Sequence, residues 1–142
     1  MATLKISDLS VGDWVGVRCG TKINAFKVEE IRFNNIIHKY VAILNNKAYG
    51  LPTTELQPIP ITAEILEKNG LLRHERDADN PELIVLSNHF FLARTWTDVD
   101  WWRVLIYDEE LPSKELFNGI IYSVHQLQHA LRLAGVSKEI NL

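Results

Sequence analysis

The chain has 142 residues, 46% of them hydrophobic, which suits one domain or two small ones and is enough for a core without disulfides. Its lone cysteine, Cys19, excludes an internal disulfide framework and a multi-cysteine zinc site. The net charge of -3 is uneven: residues 1–60 carry seven Lys/Arg against five Asp/Glu, and residues 61–142 carry eight against thirteen. The acidic half therefore argues against broad phosphate binding, while the mildly basic half leaves room for a small nucleic-acid site.

The start of the chain, Met1-Ala-Thr-Leu-Lys-Ile-Ser-Asp8, is mixed in character and does not read as a signal peptide. No apolar run approaches the roughly 20 residues of a membrane span. A soluble cytoplasmic protein with no membrane contact is the expectation.

Gly12-Asp13 turns the chain into a first strand through Trp14, Val15 and Val17. Asp13 is suited to cap that turn. A second strand runs from Ile23 to Phe33. Its apolar alternation slips at Glu29-Glu30, the kind of slip that a β-bulge accommodates by bending the strand. Asn34-Asn35 turns into a third strand, Ile36 to Leu44. Asn45-Asn46-Lys47 leads to a short strand, Ala48 to Leu51. Pro52-Thr-Thr-Glu55 reads as one helical turn before a last strand, Leu56 to Ile59. Five short strands, one strongly bent, with a single turn before the last, predict a small SH3-like barrel over residues 1–60. The opening Leu9-x-Val-Gly-Asp-x-Val15 resembles the first strand of many such barrels.

Pro58-Ile-Pro60 closes this unit. Thr62 then caps a helix from Ala63 to Asn69, which Gly70 ends. Leu71 to His74 reads as a short strand, and Glu75 to Pro81 as a polar loop. Three strand-like runs follow: Leu83 to Leu86, His89 to Trp96 and Trp101 to Tyr107. They predict an antiparallel meander, with Phe117 to Tyr122 as a further strand. The last element is a helix after Ser123. Gln126 completes a capping box, Gly135 supplies the left-handed end, and Val124, Leu127, Ala130, Leu131 and Ala134 form its apolar stripe. The fold class is α+β: an SH3-like barrel at 1–60, then a short helix, a meander and a covering C-terminal helix at 61–142. Each half alone is marginal at its size, so the two are expected to pack together.

Three stretches carry a resemblance: Ile6-Ser-Asp-Leu-Ser-Val-Gly-Asp-Trp-Val15, Pro58-Ile-Pro-Ile-Thr-Ala-Glu-Ile-Leu-Glu-Lys-Asn-Gly70 and Ser123-Val-His-Gln-Leu-Gln-His-Ala-Leu-Arg-Leu-Ala-Gly135. In them the chain resembles a family of small uncharacterised proteins from gut Bacteroides-type bacteria and their phages or mobile elements. The resemblance implies no particular chemistry.

Three sets of side chains invite a functional reading. Trp96, Trp101 and Trp102 flank Asp98 and Asp100 in one hairpin. Aromatic groups beside carboxylates suit a protein or peptide contact, so Trp96, Asp98, Trp101 and Trp102 are the expected contact surface. Trp101 and Trp102 are neighbours on a strand and point to opposite faces, so one can be core. His125 and His129, at i and i+4, lie about 40° apart on the last helix, the spacing of two zinc ligands. The stretch resembles His-Glu-x-x-His with Gln126 in place of the catalytic glutamate, which cannot take a proton from metal-bound water. A third ligand would have to come from His74, His89 or a carboxylate such as Asp108. The leading reading of the pair is an ordinary polar face beside Gln128 and Arg132. Lys22, Lys27, Arg32, Lys39 and Lys47 are the cations available for nucleic acid. Asp108-Glu109-Glu110 reads as a solvated turn, and Cys19 as a packing or surface thiol. The sequence thus favours a non-enzymatic binding or assembly module with a protein partner or self-association and no required cofactor. The alternatives are a zinc-dependent hydrolase and a nucleic-acid-binding barrel.

Overall fold

The computed structural model describes residues 4–45, 50–71, 83–87, 89–93, 101–108, 110–111 and 113–142. The chain divides into two compact units, Met1–Ile59 and Pro60–Leu142. Each holds an antiparallel sheet, and the second carries both of the α-helices among the described residues, so the protein is α+β.

The first unit opens with a 3-10 turn at Ile6–Asp8. Gly12, at φ +94°, lets the chain reverse into β1, Trp14–Cys19. Asp13 is fully buried, and its carboxylate accepts the N–H of Ser10 at 2.8 Å. Its main chain and that of Gly12 bond Val28 on the neighbouring strand, at 2.9 and 2.7 Å. The Gly-Asp pair therefore caps the turn and also fixes the start of the sheet. β2 spans Lys22–Asn34, β3 Lys39–Leu44, β4 Gly50–Pro52 and β5 Leu56–Gln57, with a 3-10 turn at Thr53–Glu55 before β5. The strand order is β4-β3-β2-β1-β5.

The slip expected at Glu29-Glu30 is present: Val28 faces Leu44 and Glu30 faces Ile43, so Glu29 is the extra residue of a bulge. The bulge lets Val28 and Ile31 turn to the same interior despite their unequal parity. Leu4, Leu9, Val15, Val28, Ala42, Leu44, Leu51 and Leu56 form that core, with Val17, Phe26 and Ile31 packed on it. β3 starts at Lys39 rather than at Ile36, because Asn34 Oδ1 accepts the N–H groups of Ile36 and Ile37 at 2.9 and 3.3 Å. That side-chain turn, with His38 at φ 53°, takes 35–38 out of the ladder. β5 is shorter than the Leu56–Ile59 expected. The expected start of β4 lies in part outside the described residues.

The second unit begins with α1, Ala63–Lys68, capped by Thr62, whose Oγ1 accepts the N–H of Ile65 at 3.2 Å. The chain leaves α1 through Gly70 at φ +66°, with Gly70 N–H on Glu67 O at 3.0 Å and Leu71 N–H on Leu66 O at 2.8 Å. The meander is β6 (Leu83–Ser87), β7 (Phe90–Ala93), β8 (Trp102–Tyr107) and β9 (Glu115–Ile121), paired in that order. β7 is shorter at its start than expected, because His89 lies in the turn before it. The expected strand at 72–74, the polar loop and the 97–100 turn lie outside the described residues. One face of the meander is buried through Phe90, Leu92, Trp102, Val104, Ile106 and Ile121.

α2, Val124–Leu133, has the ends its sequence calls for. Gln126 Oε1 accepts the N–H groups of Tyr122 and Ser123 at 2.7 and 3.3 Å. Gly135, at φ +71°, closes the other end, with Gly135 N–H on Arg132 O at 3.0 Å and Val136 N–H on Leu131 O at 2.9 Å. His89 ties this end of α2 to the start of β7: its Nε2–H donates to Ala134 O at 2.8 Å. Beyond α2, Ile140 is buried and Asn69 grips the next residue. The Asn69 amide donates to Ile65 O (2.8 Å) and Asn141 O (2.9 Å) and accepts the N–H of Asn141 (2.7 Å).

Candidate functional site

The most exposed apolar cluster among the described residues sits at the far end of the β2–β3 hairpin. β2 has 13 residues and β1 only 6, so β2 and β3 run on past the strand that helps to bury them. Up to Ile31 and Ala42 their inward side chains are covered by the core. Two pairs further, on the same face, Phe33 and Tyr40 face each other in register, with ring centroids 5.1 Å apart in an edge-to-face contact. Both are exposed. The turn beyond adds Ile37, also exposed, and Ile36, which is 89% exposed. Single exposed apolar residues are ordinary, but four large ones within eight positions form a patch. The Asn34 turn bonds hold its backbone in one shape, which lowers the entropy lost on docking.

Sequence reading missed this cluster, because Phe33, Ile36, Ile37 and Tyr40 fit the pattern of half-buried strands. The signal that finds them is strand length: a hairpin longer than its neighbours must leave its end uncovered. The polar side of the same hairpin carries Arg32, which is bound to Glu30 by two hydrogen bonds of 3.0 Å, and Lys39.

Of the expected tryptophan contact surface, Trp101 and Trp102 lie among the described residues. Trp102 is 1% exposed and belongs to the buried face of the meander. This corrects its place in the expected contact surface and decides which of the two neighbours is core. Trp101, just before β8, is half-buried. Trp96 and Asp98 lie outside the described residues.

The histidine pair does not stand on a polar face. His125 is 3% exposed, and Gln128 is buried as well. α2 buries a wider arc than its apolar stripe, taking in Val124, His125, Leu127, Gln128, Ala130 and Leu131. His125 Nδ1 and Ser123 Oγ share a hydrogen bond of 2.9 Å. The His125 and His129 rings meet edge to face, with centroids 5.9 Å apart. The third ligands considered from the sequence do not converge on them. His89 bonds the opposite end of α2, and His74 is outside the described residues. The exposed carboxylate of Asp108 accepts the N–H groups of Glu110 and Leu111 at 2.8 and 3.0 Å. Those bonds, Leu111 first and Glu110 second, hold the Asp108 carboxyl below its usual pKa. Among the described residues no three His, Cys, Asp or Glu side chains are grouped to hold a metal ion.

The cations are dispersed in the same way. Lys27 Nζ lies 5.4 Å from the centre of the Trp14 ring, a cation–π contact. Arg32 is paired with Glu30, and Lys47 lies outside the described residues. Lys22 and Lys39 are exposed, at opposite ends of β2 and its partner strand. Cys19 is an exposed thiol at the end of β1.

No described helix is long and apolar enough to cross a membrane. Compared with protein-family models, with curated proteins and with solved structures, the chain matches none.

Proposed function

We propose that the protein is a non-enzymatic binding or assembly module of the cytoplasm, and that the β2–β3 hairpin end docks into an apolar recess of a protein partner. The observation that carries this reading is the exposed cluster of Phe33, Ile36, Ile37 and Tyr40 on a turn fixed by Asn34. A preformed apolar turn suits a pocket on a partner. Trp101 is the second contact to test.

We read the first unit as an SH3-like barrel. Its support is the strand order β4-β3-β2-β1-β5, the bulged β2 that pairs on both sides, and the 3-10 turn that returns β5 to β1. Kinship with the small gut-bacterial and phage proteins is part of the same proposal and rests on the three matching stretches. The cation pattern favours a protein partner over nucleic acid, since Arg32 and Lys27 are already engaged. The buried His125, with one ring nitrogen on Ser123, favours a structural role over zinc hydrolysis.

The test compares the wild type with Ile36→Asp as affinity baits in nuclease-treated lysate. A captured protein in constant proportion that is lost with Ile36→Asp supports docking through the hairpin end. Equal capture by both removes it.

A further inference from the structure

β9 is the last strand of the meander, and among the described residues it pairs along its length on one side only, with β8. Backbone alternation shows which groups face the open edge. Tyr107 N–H bonds His89 O on the β7 side, so Trp102, Val104 and Ile106 turn their main chain towards β9. Their partners are Ile121, Gly119 and Phe117. Asn118 and Ile120 therefore aim N–H and C=O groups away from the sheet. The next residue in that series, Tyr122, shows what this edge accepts: its C=O takes the N–H of Ile61 at 3.4 Å, and Pro60 bridges Ser123. Among the described residues the edge is met only there.

The exposed side chains of this edge are apolar. Leu116 is 51% exposed, Ile120 is 46% exposed, and Asn118 between them is exposed too. Edges that must stay single usually carry lysine, proline or an inward charge. β9 has only Glu115, at its first position; Phe117 faces Ile106 and Glu115 faces Tyr107, so Leu116 is the extra residue of a register shift.

We propose that β9 pairs antiparallel with β9 of a second copy of this chain, with Asn118 on the two-fold axis. The strand complements itself in that register. The exposed Leu116 and Ile120 of each copy come against those of the other, apolar against apolar. Within each copy the Phe117 ring lies over its own Gly119, so the rings of the two copies meet across the seam. Asn118 exchanges N–H and C=O with its own mate, and the two meanders join into one continuous sheet. The segment Pro60–Ile61 of each copy bounds the paired stretch. β9 belongs to the second unit and the β2–β3 hairpin to the first, and the residues varied in the two tests differ, so either proposal can fail without the other.

The test uses the whole chain with Cys19→Ser as background. Residues facing each other across such a pair have Cα atoms about 5.5 Å apart, within disulfide reach. Asn118→Cys is then expected to give a disulfide-linked dimer under mild oxidation. Leu116→Cys alone, whose mate lies diagonally across, gives none. In sedimentation the wild type is a dimer with a concentration-dependent mass. Asn118→Pro is a folded monomer, since it removes an N–H that no described residue of its own chain accepts. A wild type that stays monomeric at every concentration overturns the proposal. So does a dimer that survives Asn118→Pro, or one that links through position 116 and not 118.

Discussion

Asn69→Ala is the sharpest test of how the second unit holds its last turn of chain. The native amide makes three contacts of 2.7–2.9 Å, two of them to the main chain of Asn141, while Ile140 beside it is 1% exposed. A net hydrogen bond is worth about 0.5–1.5 kcal/mol. Asn141 is exposed, so its freed groups can turn to water, and the lower part of that range applies. The expected loss is about 2 kcal/mol, a fall on the order of 10 °C in the melting temperature of a unit this size. Ile140→Ala deletes a buried side chain and costs about 2–4 kcal/mol. Because one grip keeps the other in place, the double variant loses less than the sum, by about 1 kcal/mol or more. Urea unfolding of the wild type, both single variants and the double variant gives all these terms. A cost below about 0.5 kcal/mol for Asn69→Ala, or strict additivity, refutes the reasoning.

Three further outcomes follow from the described contacts. His89→Ala removes the donor to Ala134 O and is expected to cost about 1 kcal/mol, read by thermal melting, whereas an unchanged melt means that the α2 end is held by other contacts. Gly50→Ala places a Cβ 2.9 Å from Val41 Cβ, and the forced shift of β4 is expected to cost about 1–3 kcal/mol in urea unfolding. Asp108 titrates below its ordinary pKa of 3.8, so its stabilising effect is complete above that pH and fades as the pH falls through the lowered folded value. The stability gap between wild type and Asp108→Asn therefore narrows on acidification below 3.8, and a gap constant with pH contradicts the assignment.

Local chemistry made much of the fold legible. The Gly12-Asp13 turn, the Glu29 bulge, the Thr62 cap and both ends of α2 each depend on residues within a few positions of one another. The misread places depend on distant cover. Ile36 and Ile37 look like strand residues until Asn34 claims their N–H groups for a turn. His125 and Gln128 look solvated on a wheel, but α2 buries a wider arc than its apolar stripe defines. Strand alternation alone makes Trp101 and Trp102 diverge, but only the packed sheet shows that Trp102 is the core member. The hairpin end escaped for the same reason: a strand's alternation does not reveal where the covering layer stops.

The most direct measurement of the central claim is parallel capture with wild-type protein and Ile36→Asp, quantified after nuclease treatment, alongside a melt of each. The account predicts equal melting temperatures, because Ile36 is 89% exposed, and a partner retained by the wild type alone. Identical capture by two equally folded proteins would contradict it.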